Sequence, residues 1–391
     1  MLLLQRILKT NLIIVMSIRE KILSNVSKIV IKIGTRVLTN EDGFLDKNQI
    51  MELSKQVIKL RSRGFSVVVV SSGSIGAGIS ALGCQKRPTI LPELQAAAAI
   101  GQGKLIEVYN ECFKKHGYHA AQLLLTRQDF EDRQRYLNTC NTLHSLLNFK
   151  TIPIINENDT ISVEEITFGD NDILSALVTN LLRADLLVLL SSVDGLYTTP
   201  PASGRSCNVL SVVDSISNDI KKLAFKLKTK EGIGGMESKL EAASIATGSG
   251  EAVIIANGRQ SDVLSKIMNY ENVGTLFIPN KKKVASRKRW IGFIVRPKGR
   301  IYIDEGALSA LQKKGKSLLP SGVVKIDGKF IKGDVVSIVD ADDNKEVARG
   351  LMNYSDDEVR KVKGLRTSLI KKTLCYKPYD EIIHRDNIVL L

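Results

Sequence analysis

FSVVVVSSGSIGAG, residues 65–78, is a run of four valines that breaks off into serines and glycines. Consecutive β-branched residues favour an extended chain, and an unbroken apolar run suits a strand covered on both faces, as in a parallel sheet. The glycines that follow allow a tight turn. Outward from this stretch the same punctuation recurs. KIVIKIG (28–34) precedes it, and HAAQLLLT (119–126), TIPIINEND (151–159), DLLVLLSSVDG (185–195), EAVIIANG (251–258) and GTLFIP (274–279) come after. Helical patterns lie between. Ile50, Leu53, Val57 and Leu60 share one face of a predicted helix over 46–63 that Gly64 closes. Tyr136, Cys140, Leu143 and Leu147 stack over 133–148, and a third helix is predicted around 172–183. Strands separated by helical stretches of about 10–15 residues predict βαβ units. The fold class is therefore α/β, with an open, mainly parallel sheet sandwiched by helices.

At about 150 residues per domain, the chain should hold two domains or three. Its 391 residues are 43% apolar and 25% charged, the balance of a folded protein rather than a disordered or collagen-like one. The net charge of +15 is uneven: residues 281–391 hold 25 Lys and Arg against 14 Asp and Glu, or +11. That asymmetry points to an anionic partner for the C-terminal quarter. The texture changes there too. KKKVASRKRW (281–290) is a charge run, and after Pro297 come short segments with turn pairs such as Asp327-Gly328 and Lys332-Gly333, the pattern of a small β-rich domain. The expected division is a disordered leader (1–24), an α/β domain (25–280), a linker (281–297), a β-rich domain (298–375) and a tail (376–391).

The opening MLLLQRILKTNLIIVM is too short, and too interrupted by Arg6 and Lys9, to span a bilayer. It lacks a small-residue cleavage site. Acid-free up to Glu20, it fits either a transit peptide or a leader ahead of a start at Met16. The five cysteines, at 84, 112, 140, 207 and 375, are dispersed, which argues against a disulfide framework or a thiolate zinc site and for a reducing cytoplasm. His116 and His119 form an HxxH without neighbouring cysteines or carboxylates, which reads as the polar edge of a strand. No metal-ligating set is expected.

In an open parallel sheet, ligands bind beyond the carboxyl ends of the strands. The first strand ends Lys32-Ile33-Gly34-Thr35-Arg36 and the second ends Ser71-Ser72-Gly73-Ser74-Ile75-Gly76-Ala77-Gly78. The glycine order is GxxGxG, not the dinucleotide GxGxxG, and GxxxxGK[ST] is absent, so a Rossmann dehydrogenase and a P-loop NTPase are both disfavoured. Such glycines either bring backbone N–H groups to phosphate oxygens or merely close a packing turn. Asn156-Glu157-Asn158-Asp159 follows a strand, and Gly169-Asp170-Asn171-Asp172 opens a helix. An Asx-turn and an N-cap account for part of this, but four polar residues directly after an apolar strand exceed what a turn needs. Lys239 follows Gly232-Ile233-Gly234-Gly235-Met236, a loop able to fold over a nucleotide; alternatively it is a solvated surface lysine.

KIGTRVL (32–38), SSGSIGAG (71–78), INENDTI (155–161), FGDNDILSALV (168–178), SSVDGLYT (191–198) and GIGGMESKL (232–240) resemble, in order, the successive motifs of the glutamate 5-kinase family of amino acid kinases. The stretches GRIYIDEGALSAL, LLPSGVVKIDGKFIKGD and RGLMNYSDDEVRKVKG are similar to the PUA domain appended to many bacterial members; elsewhere PUA domains bind RNA. The resemblance runs from about 28 to 375. It implies ATP-dependent phosphorylation of the γ-carboxylate of L-glutamate to γ-glutamyl phosphate, the first step towards proline, with ATP as co-substrate and Mg²⁺. Proline is the implied feedback inhibitor. A second copy of the chain and RNA at the PUA-like domain are the expected macromolecular partners, with no membrane and a cytoplasmic location.

Carried over by position, the resemblance makes Lys32 the ATP-side lysine of the first strand and Ser72 a glutamate contact. Asp159 and Asn171 would hold the amino acid through its ammonium and carboxylate. Ser191, Ser192, Ile233, Gly234, Gly235, Met236, Glu237, Ser238 and Lys239 would line the nucleotide pocket, with Lys239 at the phosphates. Asp172 would orient the two lysines. One departure stands out: many members carry Thr-Asp or Ser-Asp where this chain has Ser191-Ser192, so a carboxylate contact to the nucleotide is replaced here.

These residue types suit the chemistry. A γ-carboxylate, with a reference pKa near ~4.3, is already anionic at neutral pH and needs no general base. Two anions must instead be brought together, so catalysis rests on positioning and on neutralisation by lysines and Mg²⁺. Two other functions fit parts of the sequence. One is another small-molecule kinase of the same fold, acting on acetylglutamate, carbamate or a phosphate monoester. The other is an RNA-binding protein with a vestigial kinase domain, for which Lys281-Lys282-Lys283 and Arg287-Lys288-Arg289 speak, although a solvated linker explains that run and an intact Lys32, Asp172 and Lys239 oppose it. His384-Arg385-Asp386 spells a protein-kinase triplet, but without a DFG the match is coincidence.

Overall fold

The valine run becomes β2 (Ser66–Ser71), and it pairs in parallel with β1 (Lys28–Ile33) along its whole length, Lys28 opposite Ser66 and Ile33 opposite Ser71. On its other side β1 pairs in parallel with β5 (Leu186–Ser191). The computed structural model describes residues 18–40, 43–83, 88–161, 171–198, 208–225, 235–280 and 286–391. It extends this trio with β3 (His119–Leu125), β4 (Thr151–Glu157), β6 (Val212–Val213), β7 (Ala252–Asn257) and β8 (Thr275–Phe277). The resulting order is β3-β4-β2-β1-β5-β7-β8-β6, parallel throughout except where β8 meets β7 antiparallel. Residues 29–31 and 67–70 are almost wholly excluded from solvent, as a centre covered by helices on both faces requires.

Among the described residues, the helices of this first unit are α1 (18–23), α2 (Thr35–Leu38), α3 (Lys47–Ser62), α4 (Ser74–Ala81), α5 (Leu91–Lys114), α6 (Arg127–Glu131), α7 (Arg133–Asn148), α8 (Asn171–Leu182), α9 (Asn218–Phe225), α10 (Met236–Ser249) and α11 (Val263–Met268). Every residue of α8 is buried. The α3 face of Ile50, Leu53, Val57 and Leu60 joins the core as its spacing predicts. Part of the glycine signal has a packing origin. A Cβ on Gly78 of α4 would collide with the carbonyl of Ala97 in α5, and one on Gly101 with the carbonyl of Ser74, so these glycines let two helix backbones touch. Gly73 differs: its φ of +103° makes the left-handed turn between β2 and α4.

The second unit spans Lys283–Leu391 and the first Met1–Lys282. Its five strands are β9 (Gly299–Ile303), β10 (Val323–Gly328), β11 (Val335–Asp340), β12 (Glu346–Leu351) and β13 (Ile388–Leu390), ordered β10-β9-β11-β12-β13. Its helices are α12 (Ser286–Arg289), α13 (Glu305–Lys314), α14 (Asp356–Val362) and α15 (Ile370–Leu374), with a π-helical turn at Trp290–Ile294. It has its own core around Ile301, Ile338, Tyr354 and Val359.

Three expected boundaries need correction. Residues 18–24 are part of the fold, not a leader. Leu23 enters the core, and buried Arg19 donates from its guanidinium to the carbonyls of Ser211, Glu271, Val273 and Gly274. Residues 376–391 are no loose tail either: Ile382 and Ile383 are fully buried and β13 completes the sheet against β12. Likewise residues 286–294 of the expected linker bury Trp290, Ile291 and Ile294. In each case long-range packing, which local composition does not reveal, decides the outcome.

Candidate active site

Two polar clusters meet where α8 begins. Asp172 sits in the first turn of α8, where unpaired backbone N–H groups and the helix dipole favour an anion. It is 1% exposed, yet both of its oxygens face cations. Lys32 Nζ from β1 lies 2.5 Å from Oδ1, and Lys239 Nζ from α10 lies 3.0 Å from Oδ2. Ser238 Oγ also donates to Oδ2, at 2.9 Å. Burial alone would push this carboxyl up, but the two lysines outweigh it and hold it far below the usual Asp range. The lysines are themselves buried, at 6% exposure each. Two ammonium groups fixed on one carboxylate concentrate positive charge at this end of the sheet, which suits an approaching anion.

The second cluster joins β2, β4 and α5 to the same helix end. Asn171 Nδ2 donates to Ser72 Oγ and to Asn156 Oδ1, both at 2.9 Å. Asn156 Nδ2 donates in turn to Gln102 Oε1 at 2.8 Å. Ser74 Oγ donates to Asp159 Oδ2 at 2.6 Å. Asp159 lacks the ionic partners of Asp172, so burial raises its pKa and the Ser74 hydroxyl only partly offsets this. Among the described residues, two buried polar atoms here have no partner: Asn171 Oδ1 and Gln102 Nε2. Native proteins rarely leave such atoms unsatisfied, and a ligand is one explanation.

The structure thus brings Lys32, Asp172, Ser238 and Lys239 into one cluster and Ser72 and Asn171 into its neighbour, with Asp159 on Ser74 of the same turn. Lys239 corrects the expectation of a lysine on a flexible loop: it is buried in the first turn of α10, which Gly235 precedes and Met236, Glu237 and Ser238 begin. Ile233 and Gly234 lie outside the described residues. Ser191 ends β5, with its carbonyl taken by the N–H of Gly258, and Ser192 beside it is exposed. His116 and His119 are both exposed, His119 opening edge strand β3. His384 to Asp386 lead through a 3-10 turn into β13. Sequence reasoning missed Gln102. The available signal was a lone amide on the buried face of α5, among Ala97, Ala98, Gly101 and Leu105.

A parallel sheet whose central strand carries a lysine onto a helix-terminal aspartate is the frame of an amino acid kinase, and that family matches residues 27–257, with a PUA domain at 299–374. The particular branch follows from the relatives. The chain is 50% identical over 364 residues to the glutamate 5-kinase of Thermoanaerobacter sp. (strain X514), covering 93% of this chain and 98% of that one. It is 47% identical to that of Syntrophus aciditrophicus (strain SB), over 95% and 96%, and 46% identical to that of Geobacter sulfurreducens, over 95% and 100%. The chain belongs to the glutamate 5-kinase family of amino acid kinases.

Proposed function

We propose that this chain transfers the γ-phosphoryl group of ATP to the γ-carboxylate of L-glutamate, giving γ-glutamyl phosphate and ADP at the head of a route to proline. The Lys32–Asp172–Lys239 cluster carries the reading. Phosphoryl transfer between two anions spreads charge over the equatorial oxygens, and lysines already oriented by a carboxylate neutralise it without reorganising. Lys32 and Lys239 are assigned to the phosphoryl group and Asp172 to their orientation. The nucleotide is assigned to Ser191, Ser192 and residues 233–239. Asp159 suits the substrate ammonium, because a half-buried carboxylate held by one hydroxyl gains from a cation. Ser72 and Asn171 complete the acceptor pocket. Among the described residues no three His, Cys, Asp or Glu side chains group as a metal cage, and both oxygens of Asp172 face lysines. That donor set suits a Mg²⁺ ion arriving on the phosphates of ATP, where it keeps part of its water shell.

The reading also takes proline as feedback inhibitor, a homo-oligomer as the working form and the cytoplasm as location; among the described residues no helix is long and apolar enough to cross a membrane. The PUA match and the basic C-terminal quarter support RNA as a partner of the second unit. Coupled ADP-release assays with L-glutamate, N-acetylglutamate and carbamate test the main reading. Turnover should depend on L-glutamate, and turnover with either alternative but not with glutamate would overturn it.

A further inference from the structure

The unsatisfied pair at the ends of the amide chain has a direction. An Asn or Gln amide can be turned either way, and its neighbours decide which end donates. Here the decision starts at the main chain. The backbone N–H of Glu157 can only donate, and it donates to Asn156 Oδ1 at 2.9 Å. Asn156 therefore presents oxygen on that side and receives Asn171 Nδ2 as well. Its own nitrogen faces Gln102 and needs the acceptor that Gln102 Oε1 supplies. Asn171, with its nitrogen committed to Asn156 and Ser72, is left with a free oxygen, and Gln102 with a free nitrogen. One backbone donor orients three side chains from β4, α5 and α8, all at most 9% exposed.

We propose that Gln102 is a positioning residue: by accepting from Asn156 Nδ2 it anchors the far end of the amide that the Glu157 N–H has oriented, and the fixed Asn156 in turn holds the Asn171 amide with its oxygen as the free end, an acceptor for the ammonium group of the amino-acid substrate. A carboxylate has no hydrogen to give and is refused by that oxygen, whereas an ammonium group gives up to three. The buried acceptor also penalises an analogue without the amine, because the oxygen then stays unpaired. Asp159 supplies charge and Asn171 supplies direction. This inference rests on glutamate as the acceptor and deepens that assignment.

The test compares L-glutamate with glutarate, its amine-free analogue, in the full chain. Gln102→Met removes the Asn156 acceptor while keeping the length of the side chain. It should raise the glutamate KM about tenfold, the order expected when one polar contact is misaligned. The glutarate inhibition constant should move by less than about twofold, so discrimination between the two ligands collapses. Turnover at saturating glutamate and the ATP KM should stay near wild type. Gln102→Glu adds a second readout. Whether ionised or protonated, a carboxyl at 102 can still accept from Asn156 Nδ2, so the discrimination between glutamate and glutarate that Gln102→Met loses should be largely retained. An unchanged glutamate KM in Gln102→Met, or equal losses for glutamate and glutarate, overturns the proposal while wild-type turnover keeps the glutamate reading alive. A wild-type enzyme inactive on glutamate removes both.

Discussion

Asp172, fully buried, and Asp159, half-buried, are carboxylates near the carboxyl end of one sheet, yet their environments push them in opposite directions. Two lysines hold Asp172 ionised against its burial; Asp159 has a single serine hydroxyl and is pushed up. The first region is therefore electrostatically complete before any ligand arrives. The second is incomplete and waits for a cation. A kinase needs this division: the phosphoryl-transfer charges must be fixed in advance, whereas the acceptor pocket must gain something from the acceptor's own charge.

Asp172→Asn attacks the complete region most directly. It removes the carboxylate that the two buried ammonium groups share, and breaking a buried ionic cluster in this way costs about 3–5 kcal/mol. Urea unfolding of the ligand-free protein should show that loss together with near-abolished turnover. A wild-type midpoint would mean that the lysines are not held by this carboxylate. Lys239→Met should separate the two quantities. Turnover should fall about 10²–10³-fold, as when one preorganised charge is removed from a transition state. Stability should change little, because Lys32 still balances Asp172 at 2.5 Å. Turnover near wild type would end the assignment of Lys239 to the phosphoryl group.

The two carboxylates also predict opposite signs with pH. Asp172 is depressed in the folded state, so its stabilisation is present above the ordinary Asp value near 3.8 and is lost as acid protonates it below that value. Asp159 is raised, so the folded state binds its proton more readily than the unfolded chain, and its contribution improves as pH falls through the raised value towards 3.8. On the proposed assignment, protonation there removes the partner of the substrate ammonium. Glutamate KM should accordingly rise as pH falls through that window while ATP KM stays level. Asp159→Asn should raise glutamate KM about tenfold and flatten its pH dependence, as expected when one ground-state contact is lost. A parallel rise in ATP KM would make Asp159 a general support of the site.

The same contrast explains what the sequence revealed. Apolar runs at 28–33, 66–71 and 186–191 are local signals, and each became a central strand. Lys32, Asp172 and Lys239 each stand in a short motif, and folding brings the three side chains together. Lys239 was expected on a loop because a glycine cluster precedes it, yet Gly235 merely opens α10. Gln102 was not legible, since its meaning depends on Asn156 and Asn171, which only folding brings near. Arg19 was missed for the same reason: its four carbonyl partners lie some 190 to 255 residues away. The tail was misjudged because β13 takes its support from β12 rather than from its own three residues.

The smallest expected effect concerns proline and the second unit. Proline keeps an α-carboxylate and a cationic nitrogen but has no γ-carboxylate, so it can occupy the incomplete region without presenting a nucleophile. Asp159 and Asn171 would serve both molecules, and inhibition should then weaken as glutamate rises. Asp159→Asn should lose proline sensitivity together with glutamate affinity. The polar groups described for this site, from Lys32 to Lys239, belong to the first unit, and that unit has its own core. Deleting residues 283–391 should therefore leave the competition intact, with the proline inhibition constant within about threefold of the full chain, since no contact of about 1 kcal/mol is removed from the pocket. Initial rates at several glutamate and proline concentrations, in the full and shortened proteins, decide it. Inhibition that persists at saturating glutamate, or that disappears with residues 283–391, would move the proline site out of the Asp159 region and leave that region to glutamate alone.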